Sequence, residues 1–203
     1  MDGIPNPMIQ EHSTLHRRRI EDGLLRIPFS DVTVRQSGKL DLQLSGVLPT
    51  DWCLRLANGL SSARIGLLNG YARRIDGQIW ICQLEVQHEN NSRRAPDFLD
   101  LAMNGPLRRR TVEPPILDYQ ITGNAARGGA LELRVVARDA VGLLAAVLHR
   151  VLTVGLVVDE LLLATEGRAA THKMMIRRRD MTAPCSLERR GIAASLDRLL
   201  CSE

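Results

Sequence analysis

Apolar residues recur along this chain in two rhythms, and the rhythms change in the same order twice. In Leu40-Asp41-Leu42-Gln43-Leu44, and again in Leu131-Glu132-Leu133-Arg134-Val135, apolar and polar residues alternate, which is the pattern of a strand with one buried face. A helical pattern follows each. In the first copy, Thr50 and Asp51 offer a cap ahead of Trp52, Leu54, Leu56 and Leu60. In the second, Gly142-Leu143-Leu144-Ala145-Ala146-Val147-Leu148 runs on to Val151 and Leu152, apolar over a face wide enough to pack on a sheet. Strands are expected next over 65–75 and 156–165, ending in Asp76-Gly77 and Glu166-Gly167. Such turns join hairpins, so return strands are expected over 78–87 and 169–178. A closing helix is predicted in each copy, over 96–103 and over 187–201. Phe98, Leu99 and Leu101 make the first apolar. In the second, Ile192, Leu196, Leu199 and Leu200 form one face and Ser186 stands as the cap.

From Leu40 and Leu131 to the turn glycines, the two spacings differ by one residue, and duplication of one βαββα unit accounts for the layout. A further alternating segment precedes each copy: Leu25-Arg26-Ile27-Pro28-Phe29 on to Val34, and Ile116-Leu117-Asp118-Tyr119-Gln120-Ile121. A ferredoxin-like unit needs one more strand after its second helix, and the second copy has no residues left to form it. The leading strand of each copy is therefore expected to take the missing edge position. The alternative is that 116–121 closes the sheet of the first copy. Breaks in the pattern divide the chain into an N-terminal arm (1–20), a first domain (21–104), a linker (105–115) and a second domain (116–203). The linker combines Gly105-Pro106, Arg108-Arg109-Arg110 and Pro114-Pro115, which interrupt both helix and strand. The fold class expected is α+β, with two ferredoxin-like domains in tandem.

The stretch from Leu131 to Arg178 resembles the ACT domain family. The resemblance rests on Val135-Val136-Ala137-Arg138-Asp139-Ala140-Val141-Gly142-Leu143-Leu144, the helix that follows, and Val154-Gly155-Leu156-Val157-Val158-Asp159. A strand, an Asp-x-x-Gly-Leu-Leu junction, an amphipathic helix and a small residue before the next strand are similar to the leading half of that family. ACT domains are regulatory modules that bind amino acids or other small effectors, often between paired domains. The resemblance thus implies an effector site at Asp139, Ala140, Val141, Gly142 and Leu143. The chemistry suits a carboxylate, because the first turn of a helix presents unpaired N–H groups and a partial positive charge. Glycine admits a ligand close to the backbone, and Asp139 would face an ammonium group. The plain structural roles are that Asp139 caps or leads into the helix and that Gly142 allows close packing. The first copy departs from the pattern, with Gly46-Val47-Leu48-Pro49-Thr50-Asp51-Trp52 at the junction. Its site is expected to be altered or absent.

Composition narrows the remaining classes. Of 203 residues, 44% are hydrophobic and only 3% aromatic, so Leu, Val, Ile and Ala must fill the core. No apolar run approaches the ~20 residues that span a bilayer, and the first residues lack the features of a secretion signal. A cytoplasmic location without membrane contact is the expectation. Cys53, Cys82, Cys185 and Cys201 form no CxxC pair, and no cofactor or metal is expected. His149 and His172 lie on different elements and are expected to be solvated or ordinarily satisfied. Neither Gly-x-Ser-x-Gly nor a phosphate-cradling glycine loop occurs, so an enzyme is not expected. The net charge of +4 is almost wholly arginine, in runs at 17–19, 108–110 and 177–179. Nucleic acid is an unfavoured partner, because the return strands lack a stacking platform and carry only Trp80. The leading reading is a non-catalytic regulator that binds an amino acid and modulates a partner protein. A ligand-free interaction module is the alternative, and exposed sheet edges favour self-association.

Overall fold

Among the described residues, alternation of apolar and polar positions yields eight strands, and the wide apolar faces between them yield four α-helices. The computed structural model describes residues 26–35, 37–89, 95–107 and 116–198. The expected arm at 1–20, the arginine runs at 17–19 and 108–110, and Leu199, Leu200 and Cys201 lie outside the described residues. In chain order the elements are β1 (Phe29–Val34), β2 (Lys39–Val47), α1 (Trp52–Ser62), β3 (Ile65–Asp76), β4 (Ile79–His88) and α2 (Phe98–Asn104). The same order then repeats: β5 (Ile116–Asn124), β6 (Ala130–Arg138), α3 (Leu143–Thr153), β7 (Leu156–Glu166), β8 (Ala169–Arg178) and α4 (Ser186–Asp197).

All eight strands belong to one antiparallel sheet, in the order β1-β2-β4-β3-β7-β8-β6-β5. Each leading strand takes the edge beside the strand it precedes, β1 against β2 and β5 against β6. The residues 116–121 therefore do not close the first half of the sheet. The two halves meet at β3 and β7, which pair antiparallel from Asn69 opposite Ala164 to Arg73 opposite Glu160. This join removes two strand edges that would otherwise stand open, leaving β1 and β5 as the outer ones.

The helices form a layer on one face of the sheet. In β4 the alternation is strict: Trp80, Cys82, Leu84, Val86 and His88 are buried beneath that layer, and the residues between them are half-buried on the other face. Adjacent helices touch one another across the layer, α2 with α1, α1 with α3, and α3 with α4. The end of α2 is tied to α1 through its following residues. Arg55 donates to the Gly105 carbonyl (3.1 Å) and Asn58 to that of Pro106 (2.9 Å). No helix among the described residues is long and apolar enough to cross a membrane.

Two helix starts differ in position from the sequence-based expectation, and a third is bonded differently. Asp51 takes the N-cap position of α1, but its carboxylate bonds no first-turn N–H and instead pairs with Arg55 at 3.0 Å. The i,i+4 arginine gives it a charged partner that outcompetes the neutral cap. In α4 the cap is Cys185 rather than Ser186, and the Cys185 N–H donates to Glu188 at 2.7 Å. That bond is half of a capping box and places Glu188 in the first turn, where negative charge is favoured. Helix α2 starts at Phe98 because Asp97 caps it, accepting from the Asp100 N–H at 2.9 Å.

Gly70 sits in the central strand β3 at φ +151°, in register with Leu84 on one side and Leu163 on the other. A Cβ there would meet the Gln83 carbonyl oxygen and lie 2.7 Å from Leu84 Cδ2. Gly70→Ala is expected to lower the stability by about 2 kcal/mol, through both contact and backbone strain, read as a lower urea midpoint at unchanged slope. Burial pushes the Cys53 thiol up to about 12 and that of Cys82 well above the ordinary thiol value, whereas Cys185 is exposed. In a Cys201→Ser background the native protein should therefore show one fast-reacting thiol, lost in Cys185→Ser.

Candidate functional site

The pairing of β3 with β7 brings the end of α1 and the start of β3 against the turn between β6 and α3. That turn holds the five residues singled out in the sequence. Asp139, Ala140, Val141, Gly142 and Leu143 all line one cavity of about 20 Å³, room for about one water. Leu60, Ser61, Ile65 and Leu67 of the first half form its opposite wall, and His172 of β8 completes it. The cavity thus belongs to both halves of the chain.

The turn is held by backbone bonds. The Asp139 N–H donates to the Arg168 carbonyl (2.8 Å), fastening the turn to the β7–β8 hairpin. The Leu143 N–H donates to Ala140 (3.1 Å), and Ala146 donates to Gly142 (3.0 Å). Gly142 is the N-cap of α3 at φ +94°, a conformation that side-chain-bearing residues rarely adopt. No side chain caps this helix, and Leu143, Leu144 and Ala145 of its first turn line the cavity.

Of the two plain roles open to Asp139, it has one and not the other. It leads into α3 but does not cap it. Its side chain stands at the exposed rim of the cavity. Crowding by its surroundings raises its carboxyl pKa above the ordinary value, against a smaller opposing bond from the Ala140 N–H. A cation placed at this rim would relieve that penalty.

His172 is the residue that sequence reasoning passed over. It was expected to be solvated or ordinarily satisfied, yet it is 4% exposed and its Nδ1 has no hydrogen-bond partner. A signal was present: in β8, Ala170, His172, Met174 and Ile176 are buried at alternate positions, so period two puts the imidazole on the core face. Burial lowers its pKa from 6.5 to about 4, leaving a neutral ring. The walls from α1 and β3 had no such signal, because their approach depends on the β3–β7 register. His149, by contrast, is on the exposed side of α3.

The equivalent place in the first half is filled. Thr50, Asp51, Trp52, Cys53 and Leu54 of its junction meet Trp80 on one side, with Leu148, Leu152 and Val158 of the second half across from them. Both tryptophans of the chain pack there edge to face, 5.3 Å between ring centroids and 68° between planes, leaving a cavity of about 10 Å³. Arg74 lies over the Trp80 ring at 5.1 Å. Trp80 is thus in the core and presents no stacking surface on the open face. In the last arginine run, Arg177 pairs with Asp159 (3.3 Å) and Arg178 with Glu188 (3.1 Å). Among the described residues no cluster of His, Cys, Asp or Glu has the makings of a metal site.

Comparison of the chain with protein-family models, with curated proteins and with solved structures finds no match in any of the three.

Because the folded state holds His172 neutral down to about pH 4 while the unfolded chain protonates it near 6.5, acid favours unfolding. Stability is full above pH 6.5 and falls as the pH drops toward 4, by about 3 kcal/mol. Asp139 acts oppositely, since its raised pKa favours the protonated folded form, but only toward the ordinary carboxylate range. The drop in urea midpoint between pH 7.5 and pH 5 should shrink clearly in His172→Gln.

Proposed function

We propose that the protein is a non-catalytic regulator built from two ferredoxin-like, ACT-like domains in tandem. It binds an amino acid or a related small effector at the turn between β6 and α3 and passes that state to a partner protein. Each half would be a ferredoxin-like unit whose closing strand has moved to the front, since β1 and β5 stand where such a strand is needed. The observation that carries the reading is one cavity between the halves. There the uncapped start of α3, the Asp139 carboxylate and the buried, unpartnered His172 converge. Helix N–H groups attract a carboxylate, and an acidic rim attracts an ammonium. Together they match the two ends of a zwitterion. The first half, with Trp52 and Trp80 packed into the corresponding place, serves as the structural partner.

A cavity of about 20 Å³ is smaller than any amino acid. Binding therefore requires the turn to move outward, and Gly142 is the pivot that permits this. The same tightness favours the second reading, an interaction module that binds no ligand. Thermal unfolding of the full chain in the presence of each amino acid separates the two. A bound effector at saturation is expected to raise Tm by about 5 °C or more, and the rise should vanish in Gly142→Trp and shrink in Asp139→Ala. Flat traces across the whole panel would leave only the interaction module.

A further inference from the structure

His172 adds a third recognition point that a carboxylate and an ammonium do not use. Its imidazole lines the cavity from β8, opposite the walls from α1 and β3. It is more than nine-tenths buried, and Nδ1 has no partner. An unpaired buried polar atom is costly, and this one lies in a cavity whose facing wall is Leu60, Ile65, Leu67 and the buried Ser61. The cavity beside it holds one water-sized group. A hydroxyl has that size and pairs with a neutral imidazole as donor or acceptor. A carboxamide, a carboxylate or a ring would need the turn to open further than a hydroxyl does, and an ammonium side chain would bury a charge that a neutral imidazole does not offset.

Building on the effector reading above, we propose that His172 selects the ligand's side chain. The site then takes a small α-amino acid bearing a hydroxyl in preference to its apolar counterpart of the same size. The carboxylate lies at the first turn of α3, the ammonium at Asp139, and the side-chain hydroxyl against Nδ1 of His172. A methyl group in the hydroxyl's place leaves the imidazole unpaired, which is how a buried polar group rejects an analogue that cannot bond to it.

Calorimetric titration of the full chain with L-serine, L-alanine, L-threonine and L-2-aminobutyrate tests this. Serine should bind at least about tenfold more tightly than alanine, and threonine than 2-aminobutyrate, in line with one hydrogen bond to a buried group. In His172→Leu both preferences should collapse to within about twofold while the affinity for alanine is kept or improved. Ring ¹⁵N resonances of His172 in the wild-type chain give a readout that needs no variant, and they should shift with serine but not with alanine. Equal affinity for serine and alanine, or unmoved imidazole resonances at saturating serine, overturns the role of His172 and leaves the effector site standing. No binding of any amino acid overturns the effector reading, and this inference falls with it.

Discussion

The structure depends on five residue pairs between β3 and β7, from Asn69–Ala164 to Arg73–Glu160. Each half alone would expose the hydrogen-bonding edge of a long strand, β3 or β7, and joining them satisfies both. Side chains reinforce the seam at its ends. Asn69 accepts from the Thr165 N–H (3.2 Å) and donates to Glu85 (3.1 Å). At the other end Arg74 reaches Asp159 (3.1 Å) and the Val158 carbonyl (3.2 Å) while stacking on Trp80. Asp159 also pairs with Arg177, so one carboxylate holds arginines from both halves. Arg74 is largely buried, and desolvation lowers its pKa against the pull of Asp159. Removing that carboxylate would therefore strand two guanidinium groups.

From that seam the asymmetry of the molecule follows. Antiparallel pairing of two similar halves sets the start of each long apolar helix against the end of the other, and so creates two related places between them. In one, Trp52 and Trp80, the chain's two tryptophans, occupy the space. In the other, Gly142 and Ala140 leave room, and among the lining residues is a buried histidine whose Nδ1 has no partner. The difference between a filled and an open place rests on a few side chains laid on one common backbone plan.

Particular residues show where sequence reasoning reaches and where it stops. The strand β8 was bounded correctly at Ala169 and Arg178, and the turns at Gly77 and Gly167 fell in place, because alternation and hairpin residues are local signals. The edge positions of β1 and β5 followed from counting strands against helices. Asp51 holds the N-cap position of α1 as expected but gives its carboxylate to Arg55, and the cap of α4 falls one residue before Ser186, at Cys185, whose N–H Glu188 accepts. The stretch from Asp139 to Leu143 was singled out through its resemblance to the ACT domain family, and the fold brings all five residues to one cavity. His172 was passed over although its place in the alternation of β8 already pointed it inward.

What the amino-acid sequence determined by itself is the series of elements, repeated once, and the turn in the second copy that differs from its counterpart in the first. These are properties of neighbours within a few residues, where φ preferences and the period of apolar positions act directly. The tertiary structure alone decided that the halves join edge to edge through β3 and β7 within one chain. It also decided that Leu60, Ser61 and Leu67 close a cavity whose other wall lies some eighty residues further on, and that no partner reaches Nδ1 of His172. Register between distant strands depends on the summed fit of whole faces, and no single residue carries that information.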